Sequence, residues 1–241
     1  MWRILLDLGN GALGVLQRYM ELEDIDAILL SHLHPDHCMD LCGLHVAVRW
    51  KPGGWKGKYI PVYGPDETSS RMAEAYGMAD GDTMESEFDF KTWRQNPTVR
   101  LGPFTITVYP VRHPGEEAYA MRIEADEPDF TAEAIDGHQP RKRSVLTYSG
   151  DTDSCPELVE AARDANLFLC EAAFEEGRDD GIDGIHLTGK RAGEAAEAAG
   201  AERLLLTHLQ VWTDPLKTAR DASAVYSGLV AVAASGVSYQ V

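Results

Sequence analysis

The chain has 241 residues, 44% hydrophobic and 25% charged, the proportions of one large α/β domain without repeats or low-complexity segments. Its 22 Lys and Arg against 39 Asp and Glu give a formal charge of −17, which disfavours extended DNA or RNA as a partner, because gripping a phosphate backbone takes basic side chains that displace counterions. No apolar run nears the roughly 20 residues needed to cross a bilayer, and the N-terminal MWRILLDLGN, interrupted by Asp7, is not expected to act as a secretory signal.

In chain order, β-branched or alternating runs predict strands over Arg3–Leu6, Ala27–Leu30, Tyr59–Tyr63, Phe104–Tyr109, Ala118–Ile123, Val145–Tyr148, Leu167–Cys170, Arg203–Leu206 and Val237–Val241. Apolar spacing at i, i+3 and i+4 predicts helices over Ala12–Met20, His37–Val48, Thr68–Tyr76, Pro156–Asn166, Thr188–Ala199 and Pro215–Tyr226. Gly200 follows one of these as a C-terminal cap, and Asp214-Pro215 opens another as N-cap and first helical residue. Residues 51–57 and Glu124 to Arg143 read as surface loops, and the basic run Arg141-Lys142-Arg143 as a solvated turn. No linker divides the chain, so one domain over residues 1–241 is expected. Cys38, Cys42, Cys155 and Cys170 have no paired CxxC spacing; they read as small buried hydrophobes in a reducing compartment, and the expected location is cytoplasmic.

The chemistry is concentrated where strands end. After the apolar strand Ala27–Leu30 comes Ser31-His32-Leu33-His34-Pro35-Asp36-His37. In an extended loop residues two apart point the same way, so His32 and His34 converge on one ion. Pro35 fixes the turn, and Asp36 and His37 open the next helix facing a second position. Imidazole nitrogen and carboxylate oxygen suit Zn²⁺ and accept Mn²⁺ or Fe²⁺.

This HxHxDH string resembles the signature of the metallo-β-lactamase superfamily, and further motifs follow in that family's order. Asp7, before Gly9-Asn-Gly-Ala, resembles its buried first-motif aspartate. His113 resembles the third-motif histidine, Asp151 in Tyr148-Ser-Gly-Asp-Thr152 the carboxylate shared by both metals, and His208 in Leu204-Leu-Leu-Thr-His208 the last ligand. The resemblance implies a four-layer αββα sandwich of the α/β class. It also implies two divalent ions: one on His32, His34, His113 and Asp151, the other on Asp36, His37, His208 and Asp151. Such a pair activates a hydroxide nucleophile and stabilises both oxygens of an in-line displacement.

Gly184-Ile-His186-Leu-Thr188, opening a helix of small residues, is similar to the HxT motif of the phosphodiesterase branch, which includes ribonuclease Z and cyclic-nucleotide phosphodiesterases. There the histidine donates a proton to the leaving group, so Asp36 and His186 are the expected catalytic residues. β-Lactamases proper carry a cysteine where Asp151 stands, and diiron flavoproteins need a flavin domain for which there is no room. Ribonuclease Z has a long arm between its third and fourth motifs. Here 37 residues separate His113 from Asp151, too few for the arm and the intervening strands. The strings LLSHLHPDHCMDLCGL, TYSGDTDSCPELVEAA, LFLCEAAF and HLTGKRAGEAAEAAGAERLLLTHLQVWT look closer to atypical class II cyclic-AMP phosphodiesterases. The expected partner is therefore a small phosphodiester such as cAMP. A ribonuclease Z-like RNA 3′-processing endonuclease and an inactive metal-binding scaffold are the alternatives, and a homodimer is admitted by analogy with relatives. Members usually place a strand hairpin before the first motif, whereas Asp7 is the seventh residue here.

Other residues are ambiguous in the sequence. Glu171 reads as a hydrogen-bonding support, Trp212 as a base-stacking or a packing residue, and Trp50 and Trp55 as a pocket lip or a rim. Arg49 and Arg112 read as surface arginines, although each could meet a phosphate oxygen. His45 and His138 have no assigned role.

Overall fold

The computed structural model describes residues 1–115, 117–128 and 141–241. The chain folds as two units, an N-terminal one over Met1–Pro97 and a C-terminal one over Thr98–Val241.

The N-terminal unit is built on four parallel strands in the order β1 (Ile4–Leu6), β2 (Ala27–Leu29), β3 (Ile60–Gly64) and β4 (Phe88–Thr92). Parallel strands need crossover connections, and these carry α1 (Ala12–Leu16), α2 (Pro35–Cys38), α3 (Asp40–Trp50) and α4 (Thr68–Tyr76). The β2 strand, buried at every residue, reads as a continuous apolar run because a central parallel strand is covered on both faces. The core gathers Ile28, Leu30, Leu41, Leu44, Val62, Met72 and Phe88. The expected helix over His37–Val48 is two helices that meet at Met39, the cap of both. Its first turn begins earlier, at Pro35, whose fixed φ suits a first helical position.

In the C-terminal unit seven strands lie in the order β11-β10-β9-β8-β7-β6-β5. They are β5 (Thr98–Leu101), β6 (Phe104–Pro110), β7 (Tyr119–Pro128), β8 (Arg141–Tyr148), β9 (Leu167–Glu171), β10 (Arg203–Thr207) and β11 (Leu229–Val232). β5 to β8 pair antiparallel, and β8 to β11 pair parallel. Their helices are α5 (Pro156–Ala161), α6 (Gly189–Ala199) and α7 (Pro215–Ser223). Thr188 caps α6 by accepting the Arg191 N–H at 3.2 Å, Gly200 ends it with φ 66°, and Asp214 caps α7. Small residues on α6 let α7 come close: a Cβ on Gly189 would lie 2.3 Å from the Thr218 carbonyl and one on Gly193 2.6 Å from that of Ala222.

Three expectations change. The stretch from Glu124 to Arg143 is not all loop: it supplies the ends of β7 and β8, with Pro128 opposite Arg141 in the register, so the basic run opens a strand rather than forming a turn. Residues 129–140, including His138, lie outside the described residues. Val237–Val241 forms no strand, because Leu229–Val232 already occupies the edge beside β10. Mixed α/β architecture is borne out in both units. Among the described residues no helix is long and apolar enough to cross a membrane.

Candidate metal centre

In the N-terminal unit the candidate metal-ligand motif is one folded-back loop. The Leu30 N–H donates to Tyr63 O at 2.8 Å, and the buried Trp93 indole donates to Leu30 O at 2.8 Å, so the chain leaves β2 from a fixed point. His34 is extended, with φ −65° and ψ 146°, and Pro35 then starts α2. This geometry puts the His32 and His34 rings on one side: His32 Nε2 and His34 Nδ1 are 3.0 Å apart. Two imidazole nitrogens on one tetrahedral Zn²⁺ stand about 3.3–3.4 Å apart when each bond is about 2.0–2.1 Å. The pair therefore fits a common cation. One helical turn on, His37 Nε2 and Asp36 Oδ2 are 3.6 Å apart.

Behind the loop Asp7 acts as a three-point anchor. Its Oδ1 accepts the Ser31 N–H at 2.7 Å, and its Oδ2 accepts the Ser31 hydroxyl and His37 Nδ1–H, each at 2.8 Å. Since Nδ1 of His37 is the donor, Nε2 is the ligand face. Ser31 Oγ also meets His32 Nδ1 at 3.1 Å. Asp7 itself has φ 59°, a left-handed conformation that costs a non-glycine residue energy and marks a site where structure overrides local preference. Gly9 is required: a Cβ there would sit 1.6 Å from the Asp36 carbonyl oxygen.

In the C-terminal unit the donors come from separate strands that end on one edge. β6, β8, β9 and β10 run in the same direction, since β6 and β8 are both antiparallel to β7 and β8 to β10 are parallel. Just past these four ends lie His113, Asp151, Glu171 (the last residue of β9) and His208. The carboxyl edge of parallel strands is where open α/β sheets place their ligands. His113 Nδ1 donates to Ile185 O at 2.9 Å, so Nε2 is its acceptor nitrogen. Asp151 is buried, with His208 Nδ1 3.4 Å from its Oδ1 and His186 Nδ1 3.8 Å from its Oδ2. The His186 ring is centred 5.4 Å from that of His113 and 5.5 Å from that of His208. His208, like Asp7, has φ 59°.

Glu171 answers its ambiguity. Fully buried, it accepts His186 Nδ1–H at 2.8 Å and Thr152 N–H at 2.9 Å on Oε1, and Ala173 and Leu187 N–H at 3.0 and 3.3 Å on Oε2. Burial raises its carboxyl above the ordinary range; the His186 hydrogen bond opposes that shift, and Asp151 reinforces it. Donor atoms of Glu171, His186 and His208 lie within 4.8 Å of one another, yet the four hydrogen bonds occupy the carboxylate. Glu171 orients the His186 ring through Nδ1.

The two arginines are committed elsewhere: Arg49 to Glu87 at 3.1 Å and Arg112 to Asp183 through both guanidinium nitrogens. Trp212 is 69% exposed, which rules out a packing role, and Trp50 is exposed as well. Trp55 is half-buried and donates to Lys58 O. His45 is buried 3.3 Å from Glu87. None of the four cysteines forms a disulfide, and the Cys38 thiol donates to backbone carbonyls. Sequence reasoning missed Ser31 and Trp93, which hold the loop from behind. Ser31 sits directly before the motif, whereas nothing in the sequence ties Trp93 to Leu30 across 63 residues.

Comparison with known proteins gives the family to which the chain belongs. The family described as Beta-lactamase superfamily domain matches residues 2–209. An uncharacterized protein of Mycobacterium leprae (strain TN) is 38% identical over 240 residues, which cover 99% of this chain and 78% of the relative. The probable metallo-hydrolase YhfI of Bacillus subtilis (strain 168) is 29% identical over 98% of this chain and 86% of its own. The crystal structure of YhfI, a metallo-beta-lactamase fold protein, superposes with a TM-score of 0.77 over 98% of this chain and 87% of that one, at 28% identity. A ribonuclease Z of Myxococcus xanthus (strain DK1622) is 29% identical over 97% of this chain and 86% of its own.

Proposed function

The chain is a metallo-hydrolase of the beta-lactamase superfamily, and we propose that it cleaves a small phosphodiester such as a cyclic nucleotide, with His186 as the proton donor to the leaving oxygen. The observation that carries this reading is the pair formed at 2.8 Å by the buried Glu171 and the half-buried His186, on the same sheet edge as Asp151 and His208. A nucleophile alone does not complete phosphodiester hydrolysis, because an alkoxide leaving group needs a proton. With the Nδ1–H of His186 given to Glu171, Nε2 is the nitrogen left to present that proton.

Divalent ions would be held by His32, His34, Asp36 and His37 of the N-terminal unit and by His113, Asp151 and His208 of the C-terminal unit. The donor chemistry suits Zn²⁺, and also Mn²⁺ or Fe²⁺. When bound, such ions lower the pKa of coordinated water and offset charge on phosphate oxygens. The chain's own residues then do the rest. Asp7 fixes the His37 ring, Ser31 the His32 ring and Ile185 O the His113 ring, each through Nδ1. Asp36, exposed beside His37, is the carboxylate that would accept a proton from the attacking water. The charge of −17 favours a small substrate over a polynucleotide, and β7 and β8 take up much of the segment between His113 and Asp151. The cytoplasm fits four cysteines that form no disulfide.

The ribonuclease Z relative supports a second reading, an RNA 3′-processing endonuclease. One panel separates the two: Mn²⁺- or Zn²⁺-loaded protein with 2′,3′- and 3′,5′-cyclic nucleotides, bis(4-nitrophenyl) phosphate and a tRNA precursor bearing a 3′ trailer. We expect turnover of a cyclic nucleotide with the tRNA intact, and trailer cleavage would establish the ribonuclease reading instead. His186→Ala should retain its metals and lose about 100-fold in kcat; a rate within threefold of the parent would remove His186 from the mechanism.

A further inference from the structure

The loop that delivers His186 is tied down residue by residue. Asp183 pairs with Arg112 through Oδ1 and Oδ2 at 3.1 and 2.6 Å. The Gly184 N–H donates to Asp153 Oδ2 at 2.6 Å, Ile185 O accepts from His113 Nδ1, and His186 Nδ1 donates to Glu171. Four consecutive residues thus meet four different partners. The mechanism above uses His113, Glu171 and His186; it gives no work to Asp153.

Asp153 is 1% exposed. Besides Gly184, its carboxylate accepts the Ser154 N–H and Arg191 Nη1, each at 2.7 Å on Oδ1. Its own N–H donates to Arg112 O at 2.9 Å, the residue before His113. Three donors thus converge on one buried carboxylate, and two of them, Gly184 and Arg191, come from either side of His186 in the chain. Gly184 has φ 80°, and a Cβ there would lie 3.3 Å from the Arg112 guanidinium, so the loop is pressed against the 112–113 segment.

We propose that Asp153 is a positioning residue that sets where His186 presents its proton, by clamping Gly184 before it and Arg191 after it to the strand ends carrying His113 and Asp151. This rests on the reading of His186 as proton donor. The clamp acts on both sides of His186 in sequence, and a shift of about 1 Å in a reacting group costs about 100-fold in rate. Glu171 fixes the direction of the ring; Asp153 fixes the backbone from which the ring hangs.

The test uses metal-loaded full-length protein and a series of aryl methyl phosphate diesters whose leaving phenols run from 4-nitrophenol to unsubstituted phenol. A good leaving group departs without a proton and a poor one does not, so loss of proton donation steepens the dependence of kcat on leaving-group pKa. For Asp153→Asn we expect kcat for the phenol ester to fall about 100-fold and that for the nitrophenol ester less than about threefold, with metal content and KM unchanged. Arg191→Gln and Asp183→Ala, which loosen the same loop from less buried positions, should show the same signature more weakly, and they decide the matter if Asp153→Asn does not fold. An equal loss on every ester, or the parent's slope in all three variants, overturns the clamp. His186→Ala is the reference. If its slope matches the parent's, the proton-donor reading itself fails; if it steepens while the clamp variants do not, only the role of Asp153 fails.

Discussion

In the N-terminal unit the candidate donors His32, His34, Asp36 and His37 fall within six residues, while in the C-terminal unit His113, Asp151 and His208 are spread over 96. The first set needs one strand end, a proline and an anchoring aspartate. Its ligand spacing is a property of the local chain, and Asp7 holds it by three hydrogen bonds. The second set has no local cause. Its spacing exists because β6, β8, β9 and β10 run in one direction and end on the same edge. A contiguous motif is thus protected by chemistry beside it, and a dispersed one by the register of a sheet and by buried carboxylates, Glu171 and Asp153, that stitch the loops together.

That contrast can be broken in order of effect. Asp151→Ala removes the carboxylate donor of the dispersed set, and we expect bound metal by elemental analysis and phosphodiesterase turnover to fall to background; retention of both would show that the contiguous set suffices alone. Asp7→Ala leaves every donor in place but frees the loop, so metal affinity should drop about 10–100-fold by competition with a chelator, as when a group orienting a ligand is lost. Parent-like affinity would mean that the HxHxDH loop needs no anchor. The smallest effect is expected from Trp93→Phe, which keeps the apolar ring but strands the Leu30 carbonyl. A loss of about 1–3 kcal/mol in stability, read by denaturant unfolding, should accompany unchanged turnover at low temperature. A larger loss of turnover than of stability would show that the start of the loop is held more loosely than the hydrogen bonds imply.

By itself the sequence determined the alternation of strands and helices and the candidate ligands, contiguous and dispersed, because strand ends followed by His or Asp can be seen without coordinates. Gly200 and Asp214-Pro215 marked helix ends by their own backbone chemistry. The edge strands Phe88–Thr92, Thr98–Leu101 and Leu229–Val232 were not legible, since half-exposed strands carry a weak apolar signal, and Val237–Val241 imitated one. Only the tertiary structure decided that Glu171 serves His186, that Asp153 grips Gly184 and that Trp93 caps Leu30. Each joins residues 15 to 63 positions apart. Such pairings come from which strands lie side by side and in what register, and a hydrogen bond between distant residues leaves no periodicity in the chain that makes it.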